Sequence, residues 1–206
     1  MKRLIINADD FGYSPVFNEK IVELAERGLI SSVSVLVLWG IENQKNQVVR
    51  LSRIRDITIG LHFDFGNTES TYEEIKNEIE KQFYTFTELF GFSPHFIDKH
   101  KSISSVEEAR AMISFAEEKK IPLQNRTDCF DNISKIKVLT TTQKYFNMTK
   151  EGYGKTLDFL KQMKEGETYE IICHPGEYDA NSRSTLNRER EQDYRNVIKL
   201  GPILKK

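Results

Sequence analysis

The chain alternates between short apolar runs and longer segments whose apolar side chains recur every three or four residues. A continuous apolar run of about four to eight residues is typical of a buried strand, whereas the longer period is typical of a helix with one buried face. We therefore predict strands at residues 3–8, 32–38, 57–63, 96–97 and 169–173, and weaker ones at 121–124 and 136–139.

Helical spacing fills the intervals between these strands. The predicted helices cover residues 15–27, 41–54, 71–90, 105–118, 151–163 and 186–200. The first has the clearest boundaries, because Ser14 is a good N-cap, Pro15 suits the first helical position and Gly28 ends the pattern. Strands that alternate with helices predict a parallel sheet in an α/β fold.

The number of predicted strands bears on the architecture. About seven strands with no linker or repeat between them favour a single domain over residues 1–206. A parallel sheet of that size can close, or nearly close, into a barrel. An open, doubly wound sheet is the alternative, because periodicity does not reveal closure.

Composition narrows the classes of partner. The net charge is −1 and no long basic stretch occurs, which argues against nucleic acid, because phosphate binding needs a concentrated positive face. No apolar run approaches the roughly 20 residues of a membrane span, and residues 1–3 lead into a strand rather than a signal sequence. Cys129 and Cys173 do not suggest a disulfide framework. We expect a cytoplasmic protein without a membrane partner, and a homodimer is compatible with this composition.

Potential metal ligands stand where predicted strands end. Asp9 and Asp10 follow the first strand. Three of the chain's four histidines, His62, His100 and His174, each end another strand. Because the carboxyl ends of parallel strands collect at one edge of a sheet, we expect these side chains to lie close together. Carboxylate and imidazole groups together suit a divalent metal.

Each of these residues also has a structural interpretation. The two aspartates can be a turn or a helix cap, but two carboxylates at the mouth of a sheet are costly unless they are paired or bind a metal. His62 and His100 can be hydrogen-bonded core residues. Together with Asp10 they would instead give one carboxylate and two imidazoles, which leaves positions open for water and substrate, as in catalytic sites.

The last strand carries two candidates for proton or group transfer. His174 is placed to donate a proton to a leaving group. Cys173 is an alternative nucleophile, as in a cysteine-dependent hydrolase, although adjacent residues on a strand face opposite ways, which favours a buried, inert thiol. His95, just after Pro94, is interpreted as structural.

Four segments together resemble the YdjC-like carbohydrate deacetylases, which include chitooligosaccharide deacetylases. They are residues 7–12 (Asn-Ala-Asp-Asp-Phe-Gly), 60–62 (Gly-Leu-His), 95–100 (His-Phe-Ile-Asp-Lys-His) and 173–176 (Cys-His-Pro-Gly). The first is quite specific, and the others gain weight from their order, so that the resemblance spans nearly the whole chain.

The resemblance implies a distorted (β/α) barrel that hydrolyses the N-acetyl group of a small carbohydrate and releases acetate. It implies that Asp10, His62 and His100 hold one divalent metal ion, that Asp9 is the base, and that His174 lies near the acetamide as acid or oxyanion stabiliser. The donor set suits Zn²⁺, Co²⁺ or Fe²⁺ better than Mg²⁺, although magnesium has been assigned in the family.

Arg126 is a further candidate for the site. It follows the weak strand at residues 121–124, from which it could pair with Asp9 and keep it ionised, or hydrogen-bond a hydroxyl of the substrate. The alternative is a surface ion pair with Asp128, which would contribute about 0–1 kcal/mol.

Departures from the family pattern leave a second function open. Ser102 and Ser104 occupy positions after His100 where relatives carry histidines, and the segment after His62 is short. The alternative is therefore a degenerate barrel that binds a sugar or a metal without turnover. Gly66 stands four positions after His62, which excludes the His-x-x-x-His motif of the polysaccharide deacetylases.

Overall fold

Alternating strands and helices build one parallel sheet in the computed structural model, which describes residues 2–65, 70–124, 126 and 144–204. The strands of this part of the chain are β1 (Arg3–Phe11), β2 (Ser32–Val35), β3 (Thr58–Phe63), β4 (Ile97–Lys99), β5 (Lys144–Asn147) and β6 (Thr168–Cys173). They lie in the order β4-β3-β2-β1-β6-β5, and every neighbouring pair is parallel.

Helices connect these strands, as the sequence predicts. They are α1 (Pro15–Glu26), α2 (Lys45–Ser52), α3 (Tyr72–Phe90), α4 (Val106–Lys119), α5 (Met148–Lys161) and α6 (Glu189–Leu204), and a 3₁₀ turn at Ile41–Gln44 precedes α2. The predicted cap of α1 is present, because the Ser14 side chain accepts a hydrogen bond from the backbone N–H of Val16. None of the described helices is both long enough and apolar enough to cross a membrane.

The predicted α/β class is confirmed, with a sheet curled into a half-barrel. The sequence predicts about seven strands, and six are present in the described residues: five match predicted strands, and β5 was not predicted. The weak strand at residues 121–124 is reduced to one bridge between Leu123 and Ile97, and the one at 136–139 lies outside the described residues. The strand predicted at 32–38 ends at Val35.

Burial explains why the central strands are rich in apolar residues. β1 lies between β2 and β6, and its last six residues are buried, as are all four residues of β2. A parallel sheet with both faces covered leaves little room for polar residues. The apolar stripe of α1, including Phe17, Ile21 and Leu24, is also buried.

Gly60 lets the chain before β4 pack closely against β3. A Cβ atom at this position would overlap the ring of Phe96, which is itself buried. The close approach keeps β3 in register with β4, where His62 is paired with Asp98. The glycine therefore bears on the position of two polar residues at the edge of the sheet.

We expect Gly60→Ala to lower the free energy of unfolding by about 1–3 kcal/mol, because overpacking forces the Phe96 ring to move. Urea denaturation measures the change. Gly154→Ala is the matched control, since Gly154 lies in α5 and a Cβ added there would meet no atom within 4 Å, so this substitution should be neutral or stabilising. Equal stability of the two variants would show that the Phe96 contact imposes no constraint.

Candidate metal and catalytic site

The end of β1 turns so that two adjacent carboxylates reach the same side. The register of β1 with β2 shifts between Ala8 and Phe11, and Asp10 has φ +69°, in the left-handed region. For a residue other than glycine this conformation costs about 1–3 kcal/mol. As a result, Asp9 Oδ2 and Asp10 Oδ1 lie 3.8 and 3.4 Å from the same atom, Nε2 of His62.

Asp10, His62 and His100 form a compact cluster of possible ligands. Oδ1 of Asp10 lies 3.1 Å from Nδ1 of His100 and 3.4 Å from Nε2 of His62, and the two nitrogens are 3.4 Å apart. Ligand bonds of about 2.0–2.2 Å to a tetrahedral ion would separate the ligand atoms by roughly 3.3–3.6 Å. The spacing of these three atoms fits one shared cation.

The surroundings of Asp10 also fit a cation. Its Oδ1 is buried and accepts no well-formed hydrogen bond from the described residues. Burial raises the pKa of Asp10, but the imidazoles of His100 and His62 outweigh it and hold the pKa well below its usual range. A buried carboxylate oxygen that stays ionised and faces two imidazole nitrogens is the donor arrangement that a divalent metal requires.

Asp98 fixes the orientation of the His62 ring. Its Oδ1 lies 2.7 Å from Nδ1 of His62, while its Oδ2 accepts from the Ser34 hydroxyl at 2.8 Å. Burial lowers the pKa of His62, but the carboxylates of Asp98, Asp9 and Asp10 outweigh it and raise the pKa to about 10. Because Asp98 holds Nδ1, Nε2 is the nitrogen directed at Asp10. Metal-bound histidines commonly have their second ring nitrogen hydrogen-bonded to a carboxylate in this way.

A second group of possible ligands, Asp9 with His62 and Asp98, already has a cation beside it. The guanidinium of Arg126 contacts both Oδ atoms of Asp9 at 3.0 and 2.8 Å and Oδ2 of Asp98 at 2.7 Å. A second positive charge at the same carboxylates would be repelled. The Asp10 cluster is therefore the better candidate for a metal.

Arg126 is an interior residue held by three carboxylates. Its side chain is 10% exposed, and in addition to Asp9 and Asp98 it donates to Glu170 Oε1 at 2.7 Å. Burial lowers the pKa of Arg126, and the three carboxylates outweigh it and raise the pKa well above its usual value. Asp128, the surface partner considered above, lies outside the described residues.

Asp9 is held on three sides. Besides Arg126, the side-chain amide of Asn7 donates to its Oδ1 at 2.5 Å, and the Asn7 amide also donates to Ser34. Nε2 of His174 lies 3.8 Å from Asp9 Oδ2. The structure thus brings together Asp9, Asp10, His62, His100 and His174, which the sequence places at four separate strand ends.

His174 is oriented by two residues that sequence reasoning missed. The Thr149 hydroxyl donates to Asp193 Oδ2 at 2.5 Å, so its oxygen accepts from Nδ1 of His174 at 2.8 Å. Asp193 also accepts from the His174 backbone N–H at 2.8 Å. This arrangement leaves Nε2 of His174 free to exchange a proton on the side of Asp9, and burial lowers the pKa of the ring.

Arg190 is another residue that sequence reasoning missed. It lies on α6, is fully buried, and donates to Asp10 Oδ2 at 2.6 Å, on the opposite side of the carboxylate from the imidazoles. Its guanidinium carbon lies 4.1 Å from the centre of the Phe17 ring. One signal was available: residue 190 continues the helical stripe of the buried Val197 and Leu200.

Cys173 and His95 lie away from this chemistry. Cys173 is buried and its thiol donates to the Asn7 carbonyl at 3.3 Å, while burial raises its pKa well above the usual value. A protonated, inaccessible thiol is a poor nucleophile. The ring of His95 accepts from the backbone N–H of Ile59, near the start of β3 rather than its end.

Comparison with known proteins gives one family and several relatives. The family model described as "YdjC-like protein" matches residues 3–70 and 64–199. A carbohydrate deacetylase of Clostridium beijerinckii is 25% identical over 86% of this chain and 83% of its own length. A chitooligosaccharide deacetylase of Serratia marcescens is 27% identical over 87% of this chain and 83% of its own length. A crystal structure from Enterococcus faecalis V583, of a protein whose name refers to cellobiose-phosphate cleavage, shares the fold with a TM-score of 0.76. It is 23% identical and covers 95% of this chain and 90% of its own.

We expect Arg190→Met to lower the free energy of unfolding by about 3–5 kcal/mol, because it leaves the buried Asp10 carboxylate without its guanidinium partner. Chemical denaturation at neutral pH measures the loss. Arg195→Met is the control on the same helix, where an exposed Arg195 pairs with Glu191 at 2.7 Å and should contribute less than about 1 kcal/mol. Similar losses in both variants would contradict a buried ion pair at Asp10.

Proposed function

The chain belongs to the YdjC-like protein family, and on that premise we propose that it is a metal-dependent hydrolase that removes an N-acetyl group from an amino sugar or chitooligosaccharide and releases acetate. The names of the relatives support an acetylated carbohydrate as the substrate class. The observation that carries the proposal is the convergence of Asp10, His62 and His100, with Asp9 beside them.

Asp10, His62 and His100 would hold the divalent ion. When bound, such an ion polarises the amide carbonyl and lowers the pKa of water. One carboxylate and two imidazoles favour Zn²⁺, Co²⁺ or Fe²⁺ over Mg²⁺, which prefers oxygen ligands. Two residues that are not ligands orient this set. Asp98 orients the His62 ring, and Arg190 orients the Asp10 carboxylate.

Asp9 serves as the general base. The Arg126 guanidinium contacts both of its oxygens, and together with the Asn7 amide it fixes the orientation of the carboxylate. As water attacks the amide carbonyl, Asp9 takes its proton. The 3.8 Å between Asp9 Oδ2 and Nε2 of His62 supports a base next to the proposed metal ligands.

His174 donates the proton that the leaving amine needs. When the C–N bond breaks, the amine of the sugar must be protonated, and Nε2 of His174 faces the site 3.8 Å from Asp9 Oδ2. Thr149 holds Nδ1 and leaves Nε2 as the exchanging position. A ring whose pKa is lowered by burial is a stronger acid once it carries the proton.

The alternative is a barrel that binds a sugar without turnover, which the serines at 102 and 104 suggest. Against it stands Asp9, a second buried carboxylate for which a binding protein has no evident need. Acetate release from N,N′-diacetylchitobiose separates the two functions. Measurable sugar binding without release of acetate under any added metal would favour the binding protein.

We expect Asp9→Asn to reduce turnover by about 10²–10⁴-fold while leaving metal affinity nearly unchanged, because it removes the base and keeps the ligands. His100→Ala should weaken metal binding by more than the roughly 10–100-fold that loss of an outer partner costs. Calorimetric metal titration and acetate release measure the two effects separately. Full turnover in Asp9→Asn would exclude Asp9 as the base.

Arg126→Lys should lower turnover by about 10–100-fold with little change in Tm, because lysine keeps the positive charge but lacks the planar fork, whose two nitrogens contact Asp9 and Glu170 at once. The measurements are kcat for acetate release and thermal unfolding of the same preparations. Arg53→Lys is a control, since no contact of Arg53 with the site residues is present in the described part of the chain. Unchanged kcat in Arg126→Lys would mean that the fork is not needed to position Asp9.

A further inference from the structure

A stacked aromatic pair with one exposed ring stands beside the site and has no part in the proposed mechanism. Trp39, in the loop after β2, is 40% exposed, and its ring stacks on that of Tyr13 with 4.6 Å between centres and 14° between planes. The neighbouring Leu38 is 47% exposed. We call Tyr13 and Trp39 the aromatic pair. Since Trp39 stacks on one side and is exposed on the other, its outer face is open.

The aromatic pair belongs to the same edge of the sheet as the metal cluster. The Tyr13 backbone N–H donates to the Asp10 carbonyl at 3.1 Å, and the Tyr13 ring lies 5.8 Å from the guanidinium carbon of Arg190. Nε1 of Trp39 donates to Asp64 Oδ2 at 3.2 Å, two residues beyond His62. The pair therefore bridges the loops that follow β1, β2 and β3.

These contacts hold the Trp39 ring in a fixed orientation. The Tyr13 ring supports one face, and the hydrogen bond to Asp64 fixes the edge that carries Nε1. A preorganised ring binds a ligand at a lower entropic cost than a mobile one. Small-molecule sites characteristically combine such flat apolar surfaces with a few polar groups, and here Asp64 supplies a carboxylate beside the ring.

The chemistry of this surface matches a sugar. One face of a pyranose ring presents C–H groups, which carry the slight positive charge that the negative face of an aromatic ring attracts. The hydroxyls at the ring edge can donate to a carboxylate such as that of Asp64. Arg190 and Arg183 act on Tyr13 as positive charges, but the carboxylates of Asp10 and Asp64 offset them, so an anionic ligand is less well matched.

We propose that the outer face of Trp39 binds a pyranose ring of the oligosaccharide, next to the unit whose acetyl group is removed. This inference rests on the proposed function. The Tyr13 ring stands between Trp39 and Arg190, the partner of Asp10, so the sugar on Trp39 is a neighbour of the reacting unit. The protein accordingly prefers N-acetylated oligosaccharides over the monosaccharide.

The test uses the chain's single tryptophan as its own probe. Wild-type protein is titrated with N-acetylglucosamine, triacetylchitotriose and cellotriose, and Trp39 fluorescence and calorimetry are both recorded. Triacetylchitotriose should change the emission and bind more tightly than N-acetylglucosamine. Trp39→Ala should weaken its binding by up to about tenfold, and Trp39→Phe, which keeps a stacking ring, by less.

Tyr84→Ala is the matched control, because Tyr84 is an exposed aromatic residue on α3 and lies outside the proposed machinery. Its affinity should equal that of the wild type. Equal affinity of wild type and Trp39→Ala would overturn the proposal, and so would wild-type protein that binds none of the sugars. A dimer that Trp39→Ala dissociates, without sugar binding, would identify the surface as a contact between two copies instead.

Failure of the proposed function gives a different result. Sugar binding that depends on Trp39, without acetate release under any added metal, would support the sugar surface and contradict the deacetylase. Acetate release whose kcat and KM are the same in wild type and Trp39→Ala would support the deacetylase and overturn the role of Trp39.

Discussion

The structure depends on the burial of two adjacent carboxylates at the end of β1. Asp9 and Asp10 are almost completely buried, and charges in that position are stable only when positive or hydrogen-bonding partners surround them. The partners come from distant parts of the chain: Arg126 follows the bridge at Leu123, and Arg190 lies on α6. The packing of the last helix against the sheet is thus tied to the electrostatics of the site.

The surroundings give the two aspartates different chemistry. Both oxygens of Asp9 contact Arg126, which holds the carboxylate in place. One oxygen of Asp10 accepts a hydrogen bond from Arg190, and the other faces His62 and His100. Identical side chains at consecutive positions therefore become a base and a metal ligand in the proposed mechanism, and the left-handed turn at Asp10 makes this division possible.

Sequence reasoning predicts the parts of this arrangement that are local. Continuous apolar runs reveal β1, β3 and β6, and polar residues directly after them point to one edge of a parallel sheet. The partners of those residues are harder to predict, because Arg190 and Asp193 sit in a charged helix that resembles a solvated one. Thr149 carries no signal at all until the fold brings it to His174. The segment at residues 121–124 is apolar enough for a strand, yet it forms a single bridge to β4.

The most direct test of the account is acetate release from N,N′-diacetylchitobiose by protein that has been stripped of metal and then titrated with Zn²⁺ or Co²⁺. A site built from Asp10, His62 and His100 predicts that turnover is lost on chelation and returns until one ion is bound per chain. Turnover that survives complete removal of metal would contradict it.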